Sequence, residues 1–144
     1  MREWLLLIYK VPREPTAARV YVWRKLKQLG VLLMHDSVWV LPASDRNQEQ
    51  LQWLAAEISE WKGEATLARS QLLDADQEQQ LVGRFRDQAD QVYRQVLADL
   101  KKKRCDLTAL SRRFQQAQAL DFFHSELAAR ARKALLAAHG EQSS

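Results

Sequence analysis

Trp4-Leu5-Leu6-Leu7-Ile8-Tyr9-Lys10-Val11-Pro12-Arg13-Glu14-Pro15-Thr16-Ala17-Ala18-Arg19-Val20-Tyr21-Val22-Trp23-Arg24-Lys25-Leu26-Lys27-Gln28-Leu29-Gly30 reads as a strand followed by a basic helix. Trp4 to Tyr9 is a short continuous apolar run, as expected of a strand buried on both faces. Pro12 and Pro15 end it, because proline donates nothing to a sheet ladder. Thr16 is placed to cap the helix with its hydroxyl. Val22, Leu26 and Leu29 then recur at helical spacing, with Val20 and Trp23 flanking them. Arg19, Arg24, Lys25 and Lys27 fall at other angles. Gly30 sits where a left-handed C-terminal cap belongs.

Working outward, Val31 to Met34 and Val38 to Leu41 read as a hairpin turning near Asp36-Ser37, closed by Pro42. Asp45 is placed to cap a second helix that carries Leu51, Leu54, Ala55 and Ile58 on one side, and Gly63 stops it. Glu64 to Leu72 alternates loosely, with Ala65, Leu67 and Leu72 inward, as a last strand. The order β-α-β-β-α-β predicts an α+β fold over residues 1–73. The expected arrangement is ferredoxin-like, an antiparallel sheet with both helices on one face.

Beyond Asp74 the composition becomes helical. Leu81, Phe85, Ala89, Val92, Val96 and Leu100 form an amphipathic stripe. Asp106 is placed to cap a second helix with Leu107, Leu110, Phe114 and Ala117 inward. Asp121 is placed to cap a third, from Phe122-Phe123 to Leu136, with Glu141 to Ser144 frayed. Residues 74–144 are thus expected to be a helical extension, a bundle of two to three helices packed on the first domain. All five tryptophans lie in apolar surroundings that favour the core.

Charge is polarised along the chain. The net charge is +4, but residues 1–30 hold seven Lys/Arg against two Asp/Glu. Residues 31–100 hold six against twelve, and residues 101–144 nine against four. A segregated positive surface attracts polyanions, whereas a mixed one mainly maintains solubility. The favoured site is Lys10, Arg13, Arg19, Arg24, Lys25 and Lys27. Arg19 and Arg24 are five residues apart, so their tips splay by about 140° around the helix, which suits two phosphates or a phosphate and a base edge. Tyr21 and Trp23 interleave with these charges and are expected in the core rather than stacked on bases. A second candidate basic surface comprises Lys101, Lys102, Lys103, Arg104, Arg112 and Arg113. Its bland explanation is that cations favour a helix C-terminus.

The catalytic inventory is thin. His35, His124 and His139 have no partner at metal-ligand spacing, so no metal is expected. Neither a Gly-rich phosphate loop nor a nucleophile elbow is present. Cys105 follows a cationic run that would lower a thiol pKa, but an ordinary thiol at a helix end is the expected reading. A single cysteine excludes an internal disulfide and agrees with a reducing compartment. The longest apolar run is far below the roughly 18 residues of a membrane span. With no signal-peptide pattern, a cytoplasmic protein is expected.

Leu5 through Lys27, and His35-Asp36-Ser37-Val38-Trp39-Val40-Leu41-Pro42, closely resemble the opening of the ChrB chromate-resistance family. Leu120-Asp121-Phe122-Phe123 after Arg112-Arg113-Phe114 also looks like that family's N-terminal domain. The resemblance implies a chromate-responsive transcription regulator of a chromate-efflux operon. It implies operator contacts from Arg13, Arg19, Arg24, Lys25 and Lys27. Full-length members carry a further C-terminal domain outside this sequence, so a sensor on a separate C-terminal-type domain is a further expected partner. A more distant likeness runs to the central domain of PaaX and to small CRISPR-associated endonucleases. Those nucleases place a metal-binding Asp at the end of the first strand, where this chain has Tyr9-Lys10.

Together these readings predict a non-enzymatic DNA-binding regulator, a homodimer on palindromic operator DNA, with no cofactor beyond chromate anion as effector and no membrane partner. The alternative is an accessory protein of chromate resistance that docks a partner through its helical half.

Overall fold

The structure, a computed structural model, describes residues 2–143 and divides into two compact units, Met1–Ala75 and Asp76–Ser144. The first contains β1 (Trp4–Lys10), α1 (Thr16–Gln28), β2 (Leu32–His35), β3 (Val38–Pro42), α2 (Asp45–Glu60) and β4 (Glu64–Ser70). The strands form one antiparallel sheet in the order β2-β3-β1-β4. Apolar β1 takes a central place, where both its edges are paired. Leu5 faces Leu41 and Leu7 faces Trp39 across the β1–β3 ladder, and all four are buried. α1 and α2 pack on each other, and α2 lies across β1 and β4. Ala18, Val22 and Leu26 of α1, and Leu51, Leu54 and Ile58 of α2, supply the helix side of this core.

Several local expectations need correction. β1 is not closed on both faces, because Ile8 is 43 % exposed. Thr16 is the first helical residue of α1 rather than its cap; Pro15 holds the cap position without a side-chain bond. Ser44, not Asp45, caps α2, its Oγ accepting from Asn47 N at 3.1 Å. Leu72 lies beyond the end of β4. Trp23 and Trp53 are 53 % and 66 % exposed, so the five tryptophans are not all core. An apolar neighbourhood in sequence does not fix the angle at which a helix presents each ring.

Gly30 does take the left-handed conformation, at φ 77°. Val31 N donates to Leu26 O and Gly30 N to Lys27 O, closing α1 with a Schellman motif. α2 closes in the same way, but its left-handed residue is Lys62, at φ 64°, and not Gly63. Gly63 meets a different demand. A Cβ there would lie 2.5 Å from Lys10 O and 2.9 Å from side-chain atoms of Ile58 and Val11. Gly63→Ala is therefore expected to destabilise the first unit by about 2 kcal/mol through overpacking. Lys62→Gly should stabilise it by up to about 1 kcal/mol by removing left-handed strain. Because every tryptophan lies in this unit, denaturant midpoints followed by indole fluorescence should move in opposite directions for the two variants.

The second unit contains α3 (Ala75–Leu100), α4 (Leu107–Ala119) and α5 (Leu127–Ser143). α3 buries Leu81, Phe85, Ala89 and Val96 along the expected stripe, and also Tyr93, which is fully buried. α4 buries Leu107, Leu110, Phe114 and Ala117, and the Asp106 carboxylate accepts from Ala109 N at its start. Ala131 and Leu135 of α5 complete the core. Cys105 packs half-buried against it. The third helix starts later than expected, because Asp121 is not its cap. The Asp121 carboxylate accepts from Ser125 N and from the Tyr93 hydroxyl, the latter at 3.0 Å. Ser125 serves the helix start instead, its Oγ accepting from Leu127 N. α5 runs to Ser143, into the segment Glu141 to Ser144 expected to fray; Ser144 lies outside the described residues.

Candidate functional site

The end of β1 and the stretch of α1 from Thr16 to Arg24 wall an open groove of about 910 Å³. Its basic lining is Lys10, Arg13, Arg19 and Arg24. The approach is dictated locally. Pro12 and Pro15 end the strand and start the helix within a few residues, so Lys10 and Arg13 stand beside the first two turns of α1. Arg19 and Val20 follow on the helix, and Trp23 and Arg24 one turn later.

Among the described residues, Arg13, Arg19 and Arg24 have no carboxylate within ion-pair distance. Lys10 has one: its Nζ lies 3.3 Å from Glu64 Oε2, but both side chains are about three-quarters exposed. Such a pair contributes little and gives way to a stronger anion. Asp36 and Ser37 of the hairpin turn close the far side, so one acid stands among the bases. The floor is aromatic, from Tyr9 and Trp39. Burial pushes the Tyr9 phenol up, and the Arg19 guanidinium nearby pulls the other way.

Trp23 is the exposed aromatic of the groove. The Lys27 ammonium sits 5.6 Å from its ring centroid, within cation–π range. Lys27 itself and Lys25 are outside the groove lining, so the helix splits the expected basic set. Tyr21 faces away from it: its hydroxyl donates to the Glu57 carboxylate on α2, and its ring is tilted against Trp61. Tyr9, Asp36 and Trp39 were not foreseen here. Tyr9 had a signal, since it continues the Leu5–Leu7 alternation onto the helix-covered face. The other two needed the strand order.

The second basic set belongs to the second unit and is partly neutralised. Asp99, in the last turn of α3, lies 3.0 Å from Lys102 Nζ and 2.9 Å from Arg113 Nη1. Lys101, Lys103, Arg104 and Arg112 are exposed. The Lys102 and Arg113 hydrogen bonds hold the Asp99 carboxyl down to about 2, from 3.8. A depressed carboxylate stabilises the fold above its unfolded value and loses that contribution as pH falls through its folded one. Between pH 4 and pH 2 the wild type should therefore lose more helix stability than Asp99→Asn. Melting followed by circular dichroism at both pH values checks this.

Residues 19–109 match the model of the family described as Protein ChrB, N-terminal. The chain belongs to the ChrB N-terminal domain family. A Protein ChrB from Cupriavidus metallidurans (strain ATCC 43123 / DSM 2839 / NBRC 102507 / CH34) is 28 % identical over 140 residues, covering 89 % of this chain. The chain spans 43 % of that ChrB protein's length. No solved structure matches. The ChrB match covers α1 from Arg19 onward, with Arg24, Lys25 and Lys27, and it extends through α3 to the start of α4. Lys10 and Arg13 precede it.

Among the described residues no group of three or more His, Cys, Asp or Glu is gathered as a metal site. No described helix is long and apolar enough to cross a membrane. As a chemical surface the groove offers fixed positive charge, forked donors and exposed aromatic area. Those features suit phosphate and base recognition.

Proposed function

We propose that this chain is a DNA-binding regulator that reads DNA through α1, within the role in chromate resistance that its ChrB membership implies. The observation that carries the reading is the convergence of Lys10, Arg13, Arg19 and Arg24 on one groove, with the three arginines unpaired among the described residues. Guanidinium forks left without internal partners are available to phosphate oxygens. The βαββαβ order with strand order β2-β3-β1-β4 fits the ferredoxin-like arrangement. In it α1 presents one side outward while Ala18, Val22 and Leu26 anchor the other.

In this proposal the chain works by binding, with no catalytic step. The operator is palindromic and the working form is a homodimer, so two copies of α1 meet two half-sites. Chromate is the effector. It acts on this chain directly or through a separate C-terminal-type ChrB domain. Lys25 and Lys27, off the groove, add phosphate contacts along the same helix.

The test is binding of the purified chain to the DNA upstream of its own reading frame, across a salt series. A phosphate-binding protein loses about 0.9 log unit of affinity per contact per log unit of salt. A slope near zero, or no binding by a folded chain, sinks the proposal in favour of an accessory protein that docks a partner. Chromate added to the complex then tests the effector: unchanged affinity removes it from this chain.

A further inference from the structure

We propose that the second unit holds a site for a small tetrahedral dianion, in a cavity walled by Arg86, Arg94 and Arg130. The cavity has a volume of about 580 Å³, within the usual range of ligand pockets. Two elements build it. Arg86, Asp90 and Arg94 are spaced by four on α3 and so share one face. Opposite them, the turn from His124 to Glu126 leads into α5, whose first turns carry Leu127 and Arg130.

The charges favour an anion. Three guanidinium groups face two carboxylates, Asp90 and Glu126. Asp90 is already engaged, accepting from the Ser125 hydroxyl and lying 3.9 Å from Arg94 Nη2. Among the described residues, Arg86 and Arg130 have no carboxylate within ion-pair distance. The N-terminus of the 17-residue α5 adds about half a positive charge. Leu127 is the single aliphatic residue of the lining, so an apolar ligand finds little to bury against. Planar forks arriving from two helices match the oxygens of a tetrahedral group bidentately.

The turn is held for this shape. His124 adopts φ 54°, a left-handed conformation rarely used by a non-glycine residue. Asp121, buried beneath it, accepts from Ser125 N and anchors the turn to Tyr93 of α3. The α5 start and the α3 arginines are thereby fixed with respect to each other. The inference is independent of DNA binding, since the groove on α1 belongs to the other unit.

Shared chemistry covers free oxyanions and the head of a phosphomonoester, and titration calorimetry of the full chain separates them. Sodium sulfate, inorganic phosphate, sodium chromate and glycerol phosphate are titrated in turn at an ionic strength fixed with chloride. Saturable binding of one ion per chain is expected in at least one arm, and the arm that saturates identifies the source. Arg86→Gln/Arg130→Gln should weaken it by about 100-fold, because each of the two charge-assisted bonds lost is worth about one order of magnitude. Arg86→Lys/Arg130→Lys, which keeps charge but loses the fork, should fall between. Arg19→Ala/Arg24→Ala should leave it unchanged. Absence of saturation in every arm overturns the site. So does unaltered binding in a folded Arg86→Gln/Arg130→Gln chain, or binding lost only in the Arg19/Arg24 variant.

Discussion

Replacing Arg19 and Arg24 together by alanine is expected to lower DNA affinity by about 100-fold and to reduce the salt slope by about 1.8. The slope carries the argument. Each phosphate contact that releases a counterion adds about 0.9 to it, so two contacts removed should appear as two such steps. Both side chains are exposed on α1, and the residues that anchor the helix are Ala18, Val22 and Leu26. The variant should therefore fold like the wild type, which tryptophan fluorescence verifies directly. A single variant should lose about tenfold in affinity and about 0.9 in slope. Affinity lost without a change in slope would mean that the arginines act through shape or base contacts rather than phosphates. Lys27→Ala is the useful comparison, because Lys27 lies over Trp23 and outside the groove. Its effect should be several-fold smaller.

Asp121→Ala is expected to destabilise the second unit by about 3 kcal/mol. The Tyr93 hydroxyl is fully buried and donates to Asp121 Oδ2 at 3.0 Å, and Ser125 N donates to both carboxylate oxygens. Removing the carboxylate strands both donors, and a stranded buried donor costs about 1–3 kcal/mol. Tyr93→Phe removes a donor and leaves the carboxylate with Ser125 N. It should cost about 1 kcal/mol. Asp121→Asn keeps an acceptor and should fall between the two. Helix loss in urea, followed by far-ultraviolet circular dichroism, ranks the three; tryptophan signals will not, because all five tryptophans belong to the other unit. Burial, and then the bond to Asp121, push the Tyr93 phenol up. A raised phenol stabilises the fold below its unfolded value near 10 and loses that contribution as pH rises further. Wild type should therefore lose stability above about pH 10 more steeply than Tyr93→Phe.

Gly63 and Lys62 show why local reading stops short. Both residues follow α2, and a glycine after a helix reads as its left-handed cap. The helix in fact ends one turn position earlier, and Lys62 takes the strained conformation. Gly63 is required by something no local pattern contains, the approach of the Lys10 carbonyl from β1. Asp121 misled for a related reason. Its spacing suited a cap, but Tyr93, distant in sequence, claims the carboxylate. The stripe expected from the sequence runs through Val92 and omits Tyr93, yet it is Tyr93, four residues after Ala89, that is fully buried.

The sequence by itself determined the order of strands and helices, the hairpin at Asp36-Ser37, the Gly30 cap, the apolar stripes of α3 and α4 and the basic character of α1. These follow from period, proline and glycine positions and charge counts, all of which act over a few residues. Only the tertiary structure decided which of the cations share a groove. Lys10 and Arg13 join Arg19 and Arg24 because β1 delivers them beside α1, and Trp39 and Asp36 arrive because β3 pairs with β1. It alone assembled Arg86, Arg94 and Arg130, since the angle at which α5 leaves its turn is set by packing and by the Asp121 hydrogen bonds. Charge is written residue by residue, whereas the distance between charges is a property of the packed chain.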